Sequence, residues 1–356
     1  MCADIMQKTL IITKEENQSF ATKQPTRQKD ESVAQKKSVQ VNAETKISSE
    51  TKRLLKSLAQ KYEVSSFSDG DPSCILRRYN SVVDIEVAAF ICALLSFGRR
   101  DLFLQKVEHI FSLADAVGEK PSTWIKSGTW KKMFPSTSKK FYRFYSYDDM
   151  NAVFRILQMV LQEEKSFGEY VRKKYFFHLK NYTKNCTTIA SKHIRSRHDD
   201  WHTKVHDVLH EDVNDELYDE LRLPDRRLLL AYCISKIFAG CRAVPQSTTC
   251  ANKRIHMFLR WMVRTNSPVD VGIWNWYSPS DLIIPLDTHV MAQAVSLGLI
   301  CSKSTANAKT ALLLSDKLKQ IWHDDPCRGD FALFGLGVNG DSISVRSRKK
   351  SKGDIE

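Results

Sequence analysis

The sequence predicts an all-α protein with a disordered N-terminal tail, and three observations carry that prediction. Gly at 13 and Pro at 10 in 356 residues make roughly 4% and 3% of the chain, below typical values of about 7% and 5%. So few chain-bending residues exclude turn-rich all-β folds. Apolar residues recur at helical spacing through nearly all of the middle of the chain, with no long alternating segment. A hydrophobic content of 42% supplies a sizeable buried core.

Residues 1–50 carry 8 basic and 7 acidic residues, and Phe20 is their only aromatic. Such a segment buries too little apolar surface to offset its ordering entropy, which predicts a disordered tail. A helical body is expected over 51–341. Asp84 reads as the cap of a helix whose apolar run is Ile85 to Leu95, with Gly98 as its stop. Further helical periodicity runs near 101–116, 148–162, 226–239, 251–264, 287–297 and 305–322. The stretch Asp330-Phe331-Ala-Leu-Phe334-Gly335-Leu-Gly337 reads as a helix that packs both phenylalanines inward and ends at its glycines. Its tail fits G-x-G-x-x-G, but no strand precedes it, so a dinucleotide site is excluded. Residues 342–356 form a basic tail, either a nuclear address or a plain solvated end.

The formal net charge of +13 favours a polyanionic partner, DNA or RNA. Within the body the charge is segregated. Residues 97–143 carry ten basic and four acidic residues. Trp124, Trp130, Phe134, Phe141, Tyr142, Phe144 and Tyr145 are interleaved with them or follow just after. That pattern suits a polyanion surface with stacking rings, and equally a solvated helix pair with core aromatics. Residues 199–225, with ten acidic and two basic residues, read as an exposed insertion. Nine scattered Cys without a C-x-x-C pair fit reduced thiols inside a cell, and exclude an Fe–S cluster or zinc knuckle. No apolar run approaches a membrane span and no secretory signal is present. The expectation is an intracellular monomer without a cofactor or membrane partner, nuclear in a eukaryote and cytoplasmic otherwise.

Two segments carry candidate chemistry. In Lys253-Arg254-Ile-His-Met-Phe-Leu-Arg260-Trp-Met-Val-Arg264, the residues Lys253, Arg260 and Arg264 fall within about 20° of one line along a helix. Ile255, Phe258, Leu259, Met262 and Val263 cover the other side. The predicted helix therefore buries one face and shows a cationic stripe on the other, for phosphate contact or merely for solvation. Lys253 falls in its first turn, where the helix dipole and Arg254 both disfavour an ammonium. In Pro285-Leu286-Asp287-Thr288-His289-Val290, Asp287 is placed to cap the next helix, and a capping carboxylate keeps one oxygen free for catalysis. A ladder of His198, His202, His206 and His210 raises the alternative of a metal-dependent hydrolase.

Taken together, the Lys253-Arg254…Leu259-Arg-Trp-Met-Val-Arg264 block, the Pro285-Leu-Asp-Thr-His-Val290 block and Asp330-Phe-Ala-Leu-Phe-Gly-Leu-Gly337 resemble an uncharacterised, mainly bacterial family, over about residues 52–340. More distantly, the layout resembles the helix-hairpin-helix DNA glycosylase superfamily. Leu94-Leu95-Ser96 matches an early helix of that group. Lys253 matches its nucleophilic lysine, and Asp287 the aspartate of its Val-Asp-Thr-His-Val motif. The resemblance implies a two-lobed helical fold and excision of a flipped base, with Lys253 forming a Schiff base and Asp287 stabilising the cationic sugar. Arg99, Arg100, Arg254, Arg260 and Arg264 are then phosphate contacts, and His289, Trp274 and Trp276 parts of a base pocket. The hairpin departs from the pattern, because Val244-Pro245-Gln246-Ser-Thr-Thr-Cys250 lacks both of its glycines. The rival expectation is a non-catalytic helical module that binds nucleic acid or protein.

Overall fold

The computed structural model describes residues 45–194, 223 and 225–339, and it is mostly helical. The first helix, α1 (Ser49–Tyr62), is capped by the Ser48 hydroxyl and buries Leu55, Leu58, Ala59 and Tyr62, one stripe at helical spacing. Residues 1–44 of the expected tail lie outside the described residues, and its last residues already begin α1. The Ile47 amide donates to Gln320 Oε1 at 3.0 Å, tying the entry to the body.

Helix α2 (Val82–Leu95) is apolar all round and buried from Asp84 to Leu95, as a central helix must be. Around it pack α3 (Arg100–Ala116), α4 (Pro121–Ser127), α6 (Phe167–Ile194) and α8 (Lys253–Val263). Asp84 does not cap α2. Its carboxylate accepts from the amide and hydroxyl of Ser122, at 2.9 and 2.6 Å, and so caps α4 instead. A short hairpin, β1 (Lys140–Tyr142) and β2 (Tyr145–Ser146), leads into α5 (Tyr147–Glu163), which packs on α4. Helix α7 (Leu229–Ile237) lies against α6.

The last helices are α9 (Thr288–Ser296), α10 (Ala308–Lys319) and α11 (Arg328–Asn339). Helix α11 packs between α1 and α9 and runs through Gly335 and Gly337 rather than ending at them. The reason is close approach. A Cβ on Gly335 would sit 2.3 Å from the Tyr62 ring, so only glycine lets the two helices meet there. Phe331 is buried as expected, but Phe334 is only half-buried.

All described helices fall in one contact unit, residues 40–356, and the two expected lobes are not separate units of contact. The histidine ladder, the basic tail and nearly all of the acidic insertion lie outside the described residues. Among the described residues no cluster of three or more His, Cys, Asp or Glu could hold a metal ion. No described helix is long and apolar enough to cross a membrane.

Candidate active site

Helix α8 starts abruptly. Asn252 precedes it in the left-handed region, at φ 45° and ψ 40°, a conformation that asparagine tolerates better than most residues. The first turn therefore has no side-chain cap, and it delivers Lys253 to the wall of a cavity of about 880 Å³. The adjoining part of that wall comes from the chain entering α9. Ile283, Ile284 and Leu286 are buried, and the Ile284 amide donates to Ser315 Oγ at 3.0 Å. This anchored segment holds Asp287 in place. One of its oxygens, Oδ1, accepts from the Val290 amide at 2.9 Å and caps α9 as expected. The other, Oδ2, lies 3.0 Å from Lys253 Nζ. Residues 34 apart in sequence thus meet in one ion pair.

A third group completes the site. Asp330, in the first turn of α11, lines the same cavity and accepts from the Arg260 guanidinium. Burial pushes its carboxyl up to about 6, with the Asp287 charge adding to the rise while Arg260 and Lys253 oppose it. Two cations and two carboxylates therefore share one cavity wall. Ser96, Phe97, Phe103, Met257, Leu286 and Phe334 supply much of the remaining lining. The volume and mixed lining suit a flat, partly polar organic ligand.

The expected cationic stripe does not exist as a surface. Arg260 is 6% exposed and Arg264 1% exposed. Arg260 is clamped between Asp270 and Asp330, and Arg264 among Glu63, Asp270 and Asp325. Burial alone would lower both guanidinium pKa values, and the surrounding carboxylates hold them raised instead. Arg264 cannot reach a phosphate, and Arg260 reaches the cavity only as part of its clamp. Arg254 is also engaged. It donates to the Leu94 carbonyl at 2.9 Å and to the Tyr145 hydroxyl, and its guanidinium lies over the rings of Phe97 and Tyr145. It ties α8 to α2 and the hairpin.

Other expectations divide. Arg100 and His289 line the cavity and are exposed, while Arg99 is exposed and pairs with Asp101. Trp274 is 2% exposed and donates to Glu86 Oε1 at 2.8 Å. Trp276 stacks on it at 5.4 Å. Neither tryptophan lines the cavity: Trp274 closes the core around Phe167 and Phe258, and Trp276 packs on Tyr175, Phe176 and Tyr277. The glycine-free stretch 244–250 of the loop before α8 is held by Gln246, which donates to the carbonyls of Phe238 and Val244.

Sequence reasoning missed Asp330 and Asn252. A carboxylate leading the apolar run Phe331-Ala-Leu-Phe334 was the available signal for the first. Asn252 gave none, yet its Oδ1 is buried at the cavity wall without a hydrogen-bond partner among the described residues.

The sequence model of one protein family, described as a protein of unknown function (DUF2400), matches residues 71–339. The chain belongs to this family. The match takes in the hairpin, Lys253, Asp287 and Asp330 alike, and every residue lining the cavity except Phe67. No curated protein and no solved structure matches the chain.

Proposed function

We propose that this protein excises a base from DNA, with Lys253 as nucleophile and Asp287 as stabiliser of the cationic sugar. One observation carries the reading: Lys253 and Asp287 converge to 3.0 Å on the wall of a cavity of about 880 Å³, large enough for a flipped nucleotide. The aromatic lining would stack on a base, and Arg100 at the start of α3 would meet an adjacent phosphate.

The step is a displacement at C1′. The Lys253 amine forms a bond to C1′ as the bond from C1′ to the base nitrogen breaks. The base leaves with the electron pair and takes up a proton, and the sugar ring then opens to a Schiff base. Lys253 must first lose its proton. A free lysine is only about 0.04% neutral at pH 7; in the resting protein Nζ pairs with Asp287 Oδ2 at 3.0 Å, and the proton it gives up passes through water to the departing base. A sugar entering between the two would break that pair, leaving Asp287 to stabilise positive charge developing on the ring. Its position is already held by the cap to Val290, so no reorganisation is needed at that moment.

The closed ion pair and the glycine-free stretch 244–250 favour a second reading, a helical module that binds nucleic acid without reacting. Borohydride trapping on a panel of lesion-bearing oligonucleotides separates them, with Lys253→Met and Asp287→Asn beside the wild type. Excision predicts a covalent adduct lost in Lys253→Met and strongly reduced in Asp287→Asn. Base release undiminished in both variants overturns the proposed chemistry. Binding without release or adduct on any substrate leaves the module.

A further inference from the structure

The aromatic stretch after residue 124 offered seven rings for stacking, and the fold buries six of them. Trp124, Trp130, Phe134, Phe141, Tyr142 and Tyr145 are each 5% exposed or less, whereas Phe144 is 56% exposed. It stands at the tip of the β1–β2 hairpin beside Arg143, whose φ of 50° is left-handed. A non-glycine residue persists in that region where its surroundings enforce it.

The surroundings here are specific. Phe144 stacks on Phe97 with ring centres 4.7 Å apart and planes 25° from parallel, and Phe97 lines the cavity. The Tyr142 hydroxyl donates to the Phe97 carbonyl at 2.5 Å. The Arg242 guanidinium donates to the Phe144 carbonyl, and the Tyr145 hydroxyl donates to the Ala243 carbonyl at 2.8 Å. Gly98, another cavity residue, leaves room for Arg143, since a Cβ there would lie 2.7 Å from the guanidinium. The hairpin is thus fastened to the outer side of the cavity wall, one ring's thickness from the interior, with a phenylalanine presented to solvent.

Exposed cations flank that ring. Arg99 is 74% exposed and Arg242 67% exposed at the side chain, and Arg143 is exposed with no ion pair among the described residues. Asp101 pairs with Arg99, and Asp149 lies 3.9 Å from Arg242. An exposed ring within a cationic rim, next to a cavity of nucleotide size, matches a single polyanionic strand that carries flat bases.

We infer that the Arg143–Phe144 tip is a stacking contact for the base next to a nucleotide held in the cavity, with Arg99, Arg143 and Arg242 meeting the flanking phosphates. This rests on the reading that the ligand is nucleic acid, but not on any catalytic step. Phe144 fills the place vacated in the stack, and Phe97 continues that stack into the cavity wall.

The test is fluorescence anisotropy of the full chain with a labelled duplex containing one abasic position and 2-aminopurine beside it. Phe144→Ala should weaken binding about 5- to 150-fold with an unchanged salt slope, and should abolish the 2-aminopurine change seen with wild type. Phe144→Trp should restore both. Arg143→Ala should instead reduce the salt slope by about one. Equal affinity of wild type and Phe144→Ala for the duplex overturns the stacking contact and leaves the nucleic-acid reading standing. Failure of the wild type to bind any oligonucleotide overturns both, and the exposed ring then belongs to a protein interface.

Discussion

The first and last turns of α8 carry the same kind of residue and have opposite roles. Lys253 is about a third exposed, faces one carboxylate and lines a cavity. Arg264, three turns on, is sealed among three carboxylates from three parts of the chain. The lysine can exchange its partner for a ligand at small cost. The arginine cannot move without unpairing Asp325 and leaving Glu63 and Asp270 with one arginine each, Arg328 and Arg260. Charge on a helix therefore says little about function until its burial and the number of its partners are known.

That contrast can be broken by substitution. Arg264→Met should cost roughly 3–5 kcal/mol in denaturant unfolding, because it takes a buried cation from three carboxylates, two of which keep only one arginine each. A loss below about 1 kcal/mol would mean that the clamp is not structural. Midway along the same helix, His256 is fully buried and held neutral, its pKa lowered by burial to about 4. The unfolded value is about 6.5, so the stability it confers above that pH is lost as the pH falls toward 4, by roughly 3 kcal/mol. Asp330 works in the opposite sense. Its carboxyl is raised to about 6 from about 3.9 in the unfolded chain, so its contribution is present at low pH and lost as the pH rises through 6. Urea melts across this range should show His256→Gln resisting acid better than wild type, and Asp330→Asn worse. Parallel curves for all three proteins would show that neither group titrates as described.

Smaller effects are expected at the cavity. Asp287→Ala should cost about 1 kcal/mol through loss of the α9 cap, and Asp287→Asn only a few tenths, since asparagine caps as well. Lys253→Met should change stability by less than about 1 kcal/mol, as the pair is partly solvated. Thermal or denaturant melts decide both cases. A Lys253→Met loss comparable to that of Arg264→Met would erase the distinction between the two ends of α8.

Helical class, a helix with Lys253 in its first turn and the capping role of Asp287 were all legible in the sequence, because each depends on residues within a turn or two of one another. Asp84 shows the limit of that reading. It stands in the first turn of an apolar run, yet its oxygen reaches Ser122 in another helix. Trp274 and Trp276 show the same limit, because whether a tryptophan lines a pocket or closes a core depends on what lies opposite.

The sequence by itself determined the helical periodicity, the local caps and the excess of positive charge, since these follow from side-chain spacing along a single element. Only the tertiary structure decided that Lys253, Asp287 and Asp330 share one cavity, that Arg260 and Arg264 are walled in, and that Phe144 alone of seven rings faces solvent. Those outcomes depend on packing between segments tens of residues or more apart. Burial and pairing there set each group's desolvation cost, and that cost separates a reactive charge from a structural one.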